Sequence, residues 1–292
     1  MYRNQCVCHG VMIAAALPCI PAPLRWEPQV LLWHGLGTYG VLLVSWVAAC
    51  APFAVCDRYG WLATHRLQPA GDQSPALRRS AVRMAALNWA WLPLALGLAS
   101  PLLAWAFPAT KQSYSAVAIV SDAAATAAGA PRLFGCSRDP AGAARVVGRF
   151  VAKVCVCIVI DDLCFYTYHR LLHSNRWLYT WIHKSHHLFK APWVWTSHAV
   201  HPVELLLQSI GAMLGPLLVG MTLGELWSWL AVRQWQGVLD HAGYELPLDP
   251  IGWLPGVGGT RFHDDHHRLL YGNYASCLSV IDDLFGTRCA DG

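Results

Sequence analysis

Three short histidine clusters constrain the fold of this chain more than any other feature of its sequence. The first has the pattern H-x-x-x-H, and the second and third share the pattern H-x-x-H-H. Residues three and four positions apart lie on one face of an α-helix, so each cluster presents two or three imidazole rings together. We therefore expect a fold that gathers eight rings from three helical segments. The clusters span His169–His173, His183–His187 and His263–His267.

The number of rings predicts a site for two metal ions. A neutral imidazole offers one lone pair and suits zinc, copper, iron or nickel, whereas a zinc ion takes about four ligands. Eight rings exceed the needs of one ion, so they indicate a binuclear, nitrogen-rich centre. The eight predicted ligands are His169, His173, His183, His186, His187, His263, His266 and His267.

Three other histidines lie near these clusters in the sequence. His241, in the segment Asp240–Tyr244, is predicted to be a further ligand. His201 precedes a proline, and it is either a ligand or the capping residue of a helix that begins there. His198 is predicted to support the site rather than to bind metal.

Carboxylates accompany the clusters, and they are expected to orient the ligands. A metal-bound histidine usually donates its second N–H to a carboxylate or carbonyl oxygen, which fixes the tautomer of the ring. The alternative is ordinary pairing with Arg170 or Arg268. The candidate carboxylates are Asp161, Asp162, Glu204, Asp264 and Asp265.

The composition of the chain is that of a membrane protein. Hydrophobic residues make up 55% of it and charged residues only 13%, whereas soluble domains carry about 25% charged residues. A membrane-spanning helix needs about 20 mostly apolar residues, and glycines and a proline in the last such segment favour a helical hairpin or a re-entrant pair. The predicted fold is all-α, an integral membrane bundle of about four spans with a histidine-rich helical cap. The spans are predicted at 30–56, 81–107, 150–168 and 203–232.

The charge pattern predicts the topology and argues against a nucleic-acid partner. The net charge is +4, and the basic residues are scattered rather than gathered in the stripe that nucleic-acid binding needs. Cytoplasmic loops carry an excess of Lys and Arg, and five arginines lie in the connection between the first two spans and at the start of the second. This places that connection, and by alternation the segment from His169 onward, in the cytosol. The arginines are Arg58, Arg66, Arg78, Arg79 and Arg83.

The first 29 residues are interpreted as a tail. The apolar stretch 11–20 is shorter than a membrane span and is interrupted by prolines, so it is read as part of that tail or as an interfacial segment. The cluster Cys6–His9 offers only three ligands, and no partner cluster has a matching spacing. We therefore expect no metal site there.

Residues 160–288 resemble the fatty acid hydroxylase/sterol desaturase superfamily, whose members are membrane-bound, non-haem di-iron oxygenases. The cholesterol 25-hydroxylase and methylsterol monooxygenase branch is the most similar. One departure is Ile281, where the family often has Trp. The matching motifs are D-x-x-F-Y-x-x-H-R-x-L-H from Asp162, H-K-x-H-H from His183, H-P-x-E from His201, H-x-G-Y from His241, H-D-x-H-H from His263, Asn273-Tyr274, and D-x-x-F-G-T from Asp282.

The resemblance implies an activity and its cofactors. It implies two iron ions bound by the eight cluster histidines, with His241 and His201 joining them. It also implies O2 and NAD(P)H as co-substrates, cytochrome b5 or a similar separate protein as electron donor, and hydroxylation or desaturation of a sterol or other lipid. The histidine boxes would face the cytosol from the endoplasmic reticulum membrane. The expected domains are a tail (1–29), N-terminal membrane helices (30–149) and a catalytic domain (150–288).

The residues alone leave one other class of function open. A non-redox, zinc-binding membrane protein, acting as a transporter or a structural module, would also need many histidines. A transporter is expected to place its ligands at broken helices in the middle of the membrane. Here the clusters follow a predicted span and lie in polar segments, which favours the enzyme.

Overall fold

The computed structural model describes the chain in four stretches separated by gaps. The predictions for the Cys6–His9 cluster and for the apolar stretch 11–20 fall outside the described residues. Most of the connection between the second and third predicted spans, 109–139, also falls outside them. The described residues are 26–68, 74–108, 140–246 and 252–289.

Helices build the described part of the chain, which contains no strand and only an isolated antiparallel bridge between Arg66 and Tyr244. This confirms the predicted all-α class for these residues. Short helical segments at Arg176–Leu178, Tyr179–His183, His186–Leu188 and Val194–His198 connect the third and fourth of the longer helices. The longer helices are α1 (Pro28–Tyr59), α2 (Pro75–Ala106), α3 (Pro140–Ser174), α4 (Pro202–Leu218), α5 (Leu223–Asp240), α6 (Gly259–Leu269) and α7 (Ser279–Phe285).

Local sequence signals set several of these helix boundaries. α2 begins with Pro75, and the side chain of Ser74 accepts a hydrogen bond from the backbone N–H of Leu77 at 3.4 Å. α5 begins with a reciprocal capping box between Thr222 and Glu225. α1 ends at Gly60, whose φ of 69° lies in the left-handed region that glycine adopts without a steric penalty.

Two of the described helices are long and apolar enough to cross a membrane, namely α1 and α2, with 32 residues each. Their apolar side chains are mostly exposed rather than packed against the rest of the chain. On α2, Leu94, Leu98 and Leu102 form a stripe at four-residue spacing and are 57% to 68% exposed. A stripe of this kind is costly in water and stable in lipid. This pattern indicates a membrane protein, and two of its four predicted spans are candidate membrane helices.

The other two predicted spans differ from the expectation. The segment 150–168 lies within the longer helix α3, which carries charged side chains there and is not one of the two candidate membrane helices. The prediction of one span at 203–232 is wrong, because the chain turns at Gly220 (φ 64°) between α4 and α5. The indole Nε1 of Trp229 on α5 donates to the Ala212 carbonyl on α4 at 2.7 Å, so the two helices run back along each other. The alternative of a helical hairpin is therefore correct.

Charged side chains inside these apolar helices pair with each other. Lys153 on α3 donates to both carboxylate oxygens of Glu225 at 3.0 and 2.9 Å, and also to the Gly220 carbonyl at 3.1 Å. The middle of α3 is thereby joined to the turn between α4 and α5. Two turns further along α3, Asp161 pairs with Arg233 of α5. Since an isolated charge away from water is costly, each of these residues needs its partner.

Glycines allow α3 and α4 to pack closely. A Cβ atom at Gly215 would lie 2.9 Å from the Cα atom of Cys157, and one at Gly211 would lie 3.1 Å from the carbonyl oxygen of Asp161. Small residues let membrane helices approach to this distance. The close packing brings the C-terminal end of α3, which carries the first histidine cluster, beside the start of α4.

We predict that Gly215→Val destabilises the folded protein by about 1–3 kcal/mol, because the added side chain meets the backbone of α3. Gly148→Ala is the matched control, since it lies exposed on α3 and its added Cβ would have nothing within 4 Å. Unfolding of both variants in detergent measures the difference. A Gly215→Val protein as stable as the control would contradict this account of the packing.

Candidate metal centre

The structure brings nine histidine rings together in two neighbouring groups at one end of the bundle. The first cluster lies in the last turns of α3, the second lies in the short helical segments that follow, the third lies on α6, and His241 caps the end of α5. Within each group the candidate ligand nitrogens all lie within 4.8 Å of one another. The five-histidine group comprises His169, His173, His183, His187 and His266, and the four-histidine group comprises His186, His241, His263 and His267.

The spacing of the clusters explains how they divide between the groups. In the second cluster the i and i+4 rings, His183 and His187, enter the five-histidine group, while His186 turns to the other group. In the third cluster the division is reversed, because His263 and His267 enter the four-histidine group and His266 enters the first. Each H-x-x-H-H motif therefore contributes to both groups, which holds the two groups side by side.

The distances between ring nitrogens match the edges of metal coordination polyhedra. Nε2 atoms in contact lie 2.8–3.2 Å apart in the five-histidine group and 3.2–3.3 Å apart in the four-histidine group. Two nitrogens bound to one ion at about 2.1 Å are separated by about 3.0 Å at a right angle and about 3.4 Å at a tetrahedral angle. Both groups thus have the dimensions of a metal site.

Backbone carbonyls fix the tautomers of several rings. The Nδ1–H of His186 donates to the Ala199 carbonyl at 3.4 Å, and that of His241 donates to the Gly237 carbonyl at 2.8 Å. Their Nε2 atoms therefore both carry lone pairs, yet these atoms face each other at 3.3 Å. Two acceptors cannot hydrogen-bond to one another, so the pair is stable only with a cation between them.

The five-histidine group is oriented in the same way. His169 Nδ1–H donates to the Tyr274 carbonyl at 2.8 Å, and His266 Nδ1–H donates to the Gly272 carbonyl at 2.7 Å. His183 Nδ1 lies 3.0 Å from a carboxylate oxygen of Glu204, and both of these side chains are buried. Such contacts direct Nε2 towards the shared centre, as in metal proteins whose ligands have outer partners.

Burial keeps these rings in the neutral form that metal binding requires. Loss of solvent lowers the pKa of His266 to about 3 and that of His241 to about 4. Burial likewise lowers the pKa of His263 and of His267 well below the usual range. Each lone pair is therefore available at physiological pH, without competition from protons.

Of the carboxylates predicted to orient ligands, Glu204 alone contacts a ring of either group within the described structure. Asp161 pairs with Arg233, and Asp265 pairs with Arg268 at 2.7 Å, which was the alternative interpretation for the third cluster. Carbonyl oxygens take the place of the expected carboxylates. The sequence could not reveal them, because every residue has a carbonyl.

Two other acidic residues hold the segment that carries one of these carbonyls. Asp282 accepts hydrogen bonds from the backbone N–H groups of Tyr274 and Ala275, both at 2.8 Å. Asp162 accepts from the backbone N–H of Ser276 at 2.6 Å. These bonds fix the Tyr274 carbonyl against His169, so two aspartates of the matching motifs act on the metal centre through the backbone.

Two histidines near the groups have other roles. His201, predicted as a ligand, lies outside both groups and caps α4 instead, since its Nδ1 accepts from the backbone N–H of Val203 at 3.2 Å. The capping alternative therefore describes its position. His198 is buried, stacks on Trp89 and contacts Gln234 Oε1 through Nε2 at 3.0 Å, as expected for a supporting ring.

An apolar cavity of about 380 Å³ reaches both histidine groups. Rings of each group form one end, and α2, α4 and α5 provide most of the remaining wall. Along α2 the lining runs from Trp91 to Leu103, which corresponds to about 18 Å of helix. On α4, Leu206 and Ser209 line the cavity and are also exposed, so the cavity opens on the side of the bundle. Its size is within the range of small-molecule sites, about 300–1,000 Å³.

Comparison with known proteins identifies the family of this histidine-rich part. Residues 154–287 match the fatty acid hydroxylase family, and this match contains all nine grouped histidines. These residues therefore form a fatty acid hydroxylase family domain. The resemblance deduced from the histidine boxes is therefore confirmed.

Relatives of this fatty acid hydroxylase domain share about two fifths of its residues. Methylsterol monooxygenase 2-2 of Arabidopsis thaliana is 42% identical over 139 residues, and methylsterol monooxygenase 1 of Rattus norvegicus is 39% identical over 137 residues. A very-long-chain aldehyde decarbonylase of Oryza sativa subsp. japonica is 43% identical over 140 residues. These alignments cover 47% of this chain and 52%, 46% and 52% of the respective relatives. The chain thus spans about half the length of the curated relatives it matches, and no solved structure matches it.

We predict that His187→Ala lowers the bound metal from two ions per chain to about one. Its Nε2 contacts those of His173, His183 and His266, so its loss removes the central ligand of the five-histidine group. His201→Asn is the matched control, because it keeps a side chain that can cap α4. Metal analysis of the purified proteins compares them. A His187→Ala protein with two tightly bound ions, or a His201→Asn protein with one, would contradict the assignment.

Proposed function

We propose that this chain is a membrane-bound di-iron oxygenase that hydroxylates or desaturates a sterol or other lipid. The facing lone pairs of buried histidines, at one end of an apolar cavity, are the observation that carries this proposal. The named activities of the methylsterol monooxygenase relatives agree with it. The proposed ligands are the five histidines of one group and the four of the other.

Iron is the proposed metal because the reaction needs redox chemistry. Imidazole binds iron as well as zinc, but acids and bases alone do not break an unactivated C–H bond. Bound iron would supply, with O2, the oxidising power for that step. The chain itself holds the rings neutral, fixes the tautomers of several of them through carbonyl partners, and keeps water away from the centre by burial.

The cavity is the proposed lipid site. Its side opening at Leu206 and Ser209 would admit a substrate from the bilayer, between α2 and α4. Its far wall is apolar, with Ala99 and Leu103 on α2 and Met213 on α4. A hydrophobic tail would lie along this wall, while the carbon to be oxidised would lie beside the histidine groups.

The proposed electron source is NAD(P)H acting through cytochrome b5 or a similar separate carrier. Three exposed cations, Arg176, Lys184 and Lys190, surround the second histidine cluster. A positive surface there suits an acidic carrier, since complementary charge accelerates association. The chain segment Arg66–Gln68, which lies between α1 and α2 in the arginine-rich stretch 58–83, contacts Tyr244 and Asp264. This supports a cytosolic orientation of the boxes, with the endoplasmic reticulum as the proposed membrane.

We predict that membranes containing the iron-loaded protein oxidise a sterol or other lipid in a reaction that needs NAD(P)H and O2. Mass spectrometry of lipids formed under ¹⁸O2 measures the oxygen inserted. The protein loaded with zinc is the control, because zinc has no redox chemistry. Equal activity with zinc, or no lipid product with iron and a full electron-transfer system, would contradict the proposal in favour of the non-redox alternative.

A second prediction tests the cavity separately from the metal. Ala99→Phe adds a ring to the cavity wall and should lower lipid turnover by about 10-fold or more, since overpacking costs about 1–3 kcal/mol. Iron content should stay at two per chain. Leu98→Phe is the matched control, because Leu98 is 63% exposed on α2 and does not line the cavity. Unchanged turnover in Ala99→Phe would show that substrate does not use this cavity.

A further inference from the structure

Asn88 is a buried amide on α2, outside the segment that matches the fatty acid hydroxylase family. Its side chain is 1% exposed. Its Nδ2 group donates one hydrogen to the carbonyl of His198 at 3.0 Å and the other to the carbonyl of Val200 at 2.9 Å. Its Oδ1 accepts from the indole N–H of Trp91 at 3.1 Å. All of the amide hydrogens are therefore used, and two of the three bonds hold one loop.

That loop carries a carbonyl of the metal centre. Ala199 lies between the two anchored carbonyls, and its own carbonyl accepts the Nδ1–H of His186 at 3.4 Å. This is the longest of the four ring-to-carbonyl contacts described above, the others being 2.7–2.8 Å. A long hydrogen bond orients a ring only if its acceptor is held in place. The two bonds from Asn88 hold the peptide planes on either side of that acceptor.

The contact between His186 and the Ala199 carbonyl matters to the whole four-histidine group, because few of its rings have an outer hydrogen bond. In the described structure, Nδ1 of His263 and Nδ1 of His267 are buried without a hydrogen-bond partner. Only His186 and His241 are therefore oriented by an outer hydrogen bond. The acceptor for His241 lies on its own helix, whereas the acceptor for His186 depends on α2.

We infer that Asn88 is a positioning residue for His186, through which the N-terminal helices set the geometry of the metal site in the four-histidine group. The inference rests on the proposed function, because it assumes that this group binds metal. It goes beyond the family domain, since it assigns a role at the metal centre to a residue of the N-terminal half. Loss of an outer hydrogen-bond partner typically costs about 10–100-fold in metal affinity.

The test measures Fe²⁺ affinity by competition with a chelator, using the whole chain in detergent. Asn88→Ala is made in two backgrounds that each weaken one group, His266→Ala for the five-histidine group and His267→Ala for the four-histidine group. Ser100→Ala is the matched control, because Ser100 is also a buried polar residue of α2 but bonds only to Gly97 of the same helix.

We expect Asn88→Ala to lower the affinity for the remaining ion about 10-fold or more in the His266→Ala background. It should change the affinity less than twofold in the His267→Ala background, where the remaining ion is in the other group. Retained metal in that second background also shows that the variant is folded. If Asn88→Ala does not fold, Asn88→Asp, which keeps the size and the Trp91 bond but loses the amide hydrogens, takes its place with the same expectation.

Two results would overturn the inference. One is an equal affinity with and without Asn88 in the His266→Ala background, and the other is an equal loss in both backgrounds, which would indicate general destabilisation. A wild-type protein that retains no iron would instead contradict the proposed function. The two failures are therefore distinguishable in one set of measurements.

Discussion

The structure depends on one feature, the convergence of imidazole lone pairs from the two buried histidine groups. Rings such as His186 and His241 donate through Nδ1 to carbonyls, so their Nε2 atoms meet as two acceptors at 3.3 Å. An acceptor removed from water without a donor costs free energy. In the other group His169 and His266, whose Nδ1–H groups also donate to carbonyls, likewise present Nε2 lone pairs to their neighbours. A cation in each group removes this cost. This arrangement of lone pairs suits a metal ion better than it suits proton transfer or packing.

The surrounding helices make this convergence possible. Glycines allow α3 and α4 to approach closely, the pairs Lys153–Glu225 and Asp161–Arg233 join α3 to α5, and exposed apolar stripes keep α2 against lipid. The same helices leave an apolar cavity that ends at both histidine groups. The candidate metal centre and the proposed lipid site therefore depend on one arrangement of helices, in which the N-terminal helices contribute to each.

The sequence predicted the helical class and the nine grouped rings because helical spacing and imidazole chemistry are local properties. It left His201 open between a ligand and a helix cap, since the two have the same local sequence, and only the position of α4 separates them. It also misassigned most carboxylates as orienting groups. Backbone carbonyls such as those of Tyr274 and Gly272 do that work, and they carry no sequence signal. The role inferred for Asn88 depends on contacts more than 100 residues apart, which no local pattern reveals.

X-ray absorption at the iron K-edge of the purified protein tests the central claim most directly. Nine histidines around two ions predict an average of four to five imidazoles per iron, with Fe–N distances of about 2.1 Å. The spectrum should contain the multiple scattering that is characteristic of imidazole rings and no Fe–S component. A single iron per chain with fewer than three imidazoles, or ligands dominated by sulfur, would contradict the account.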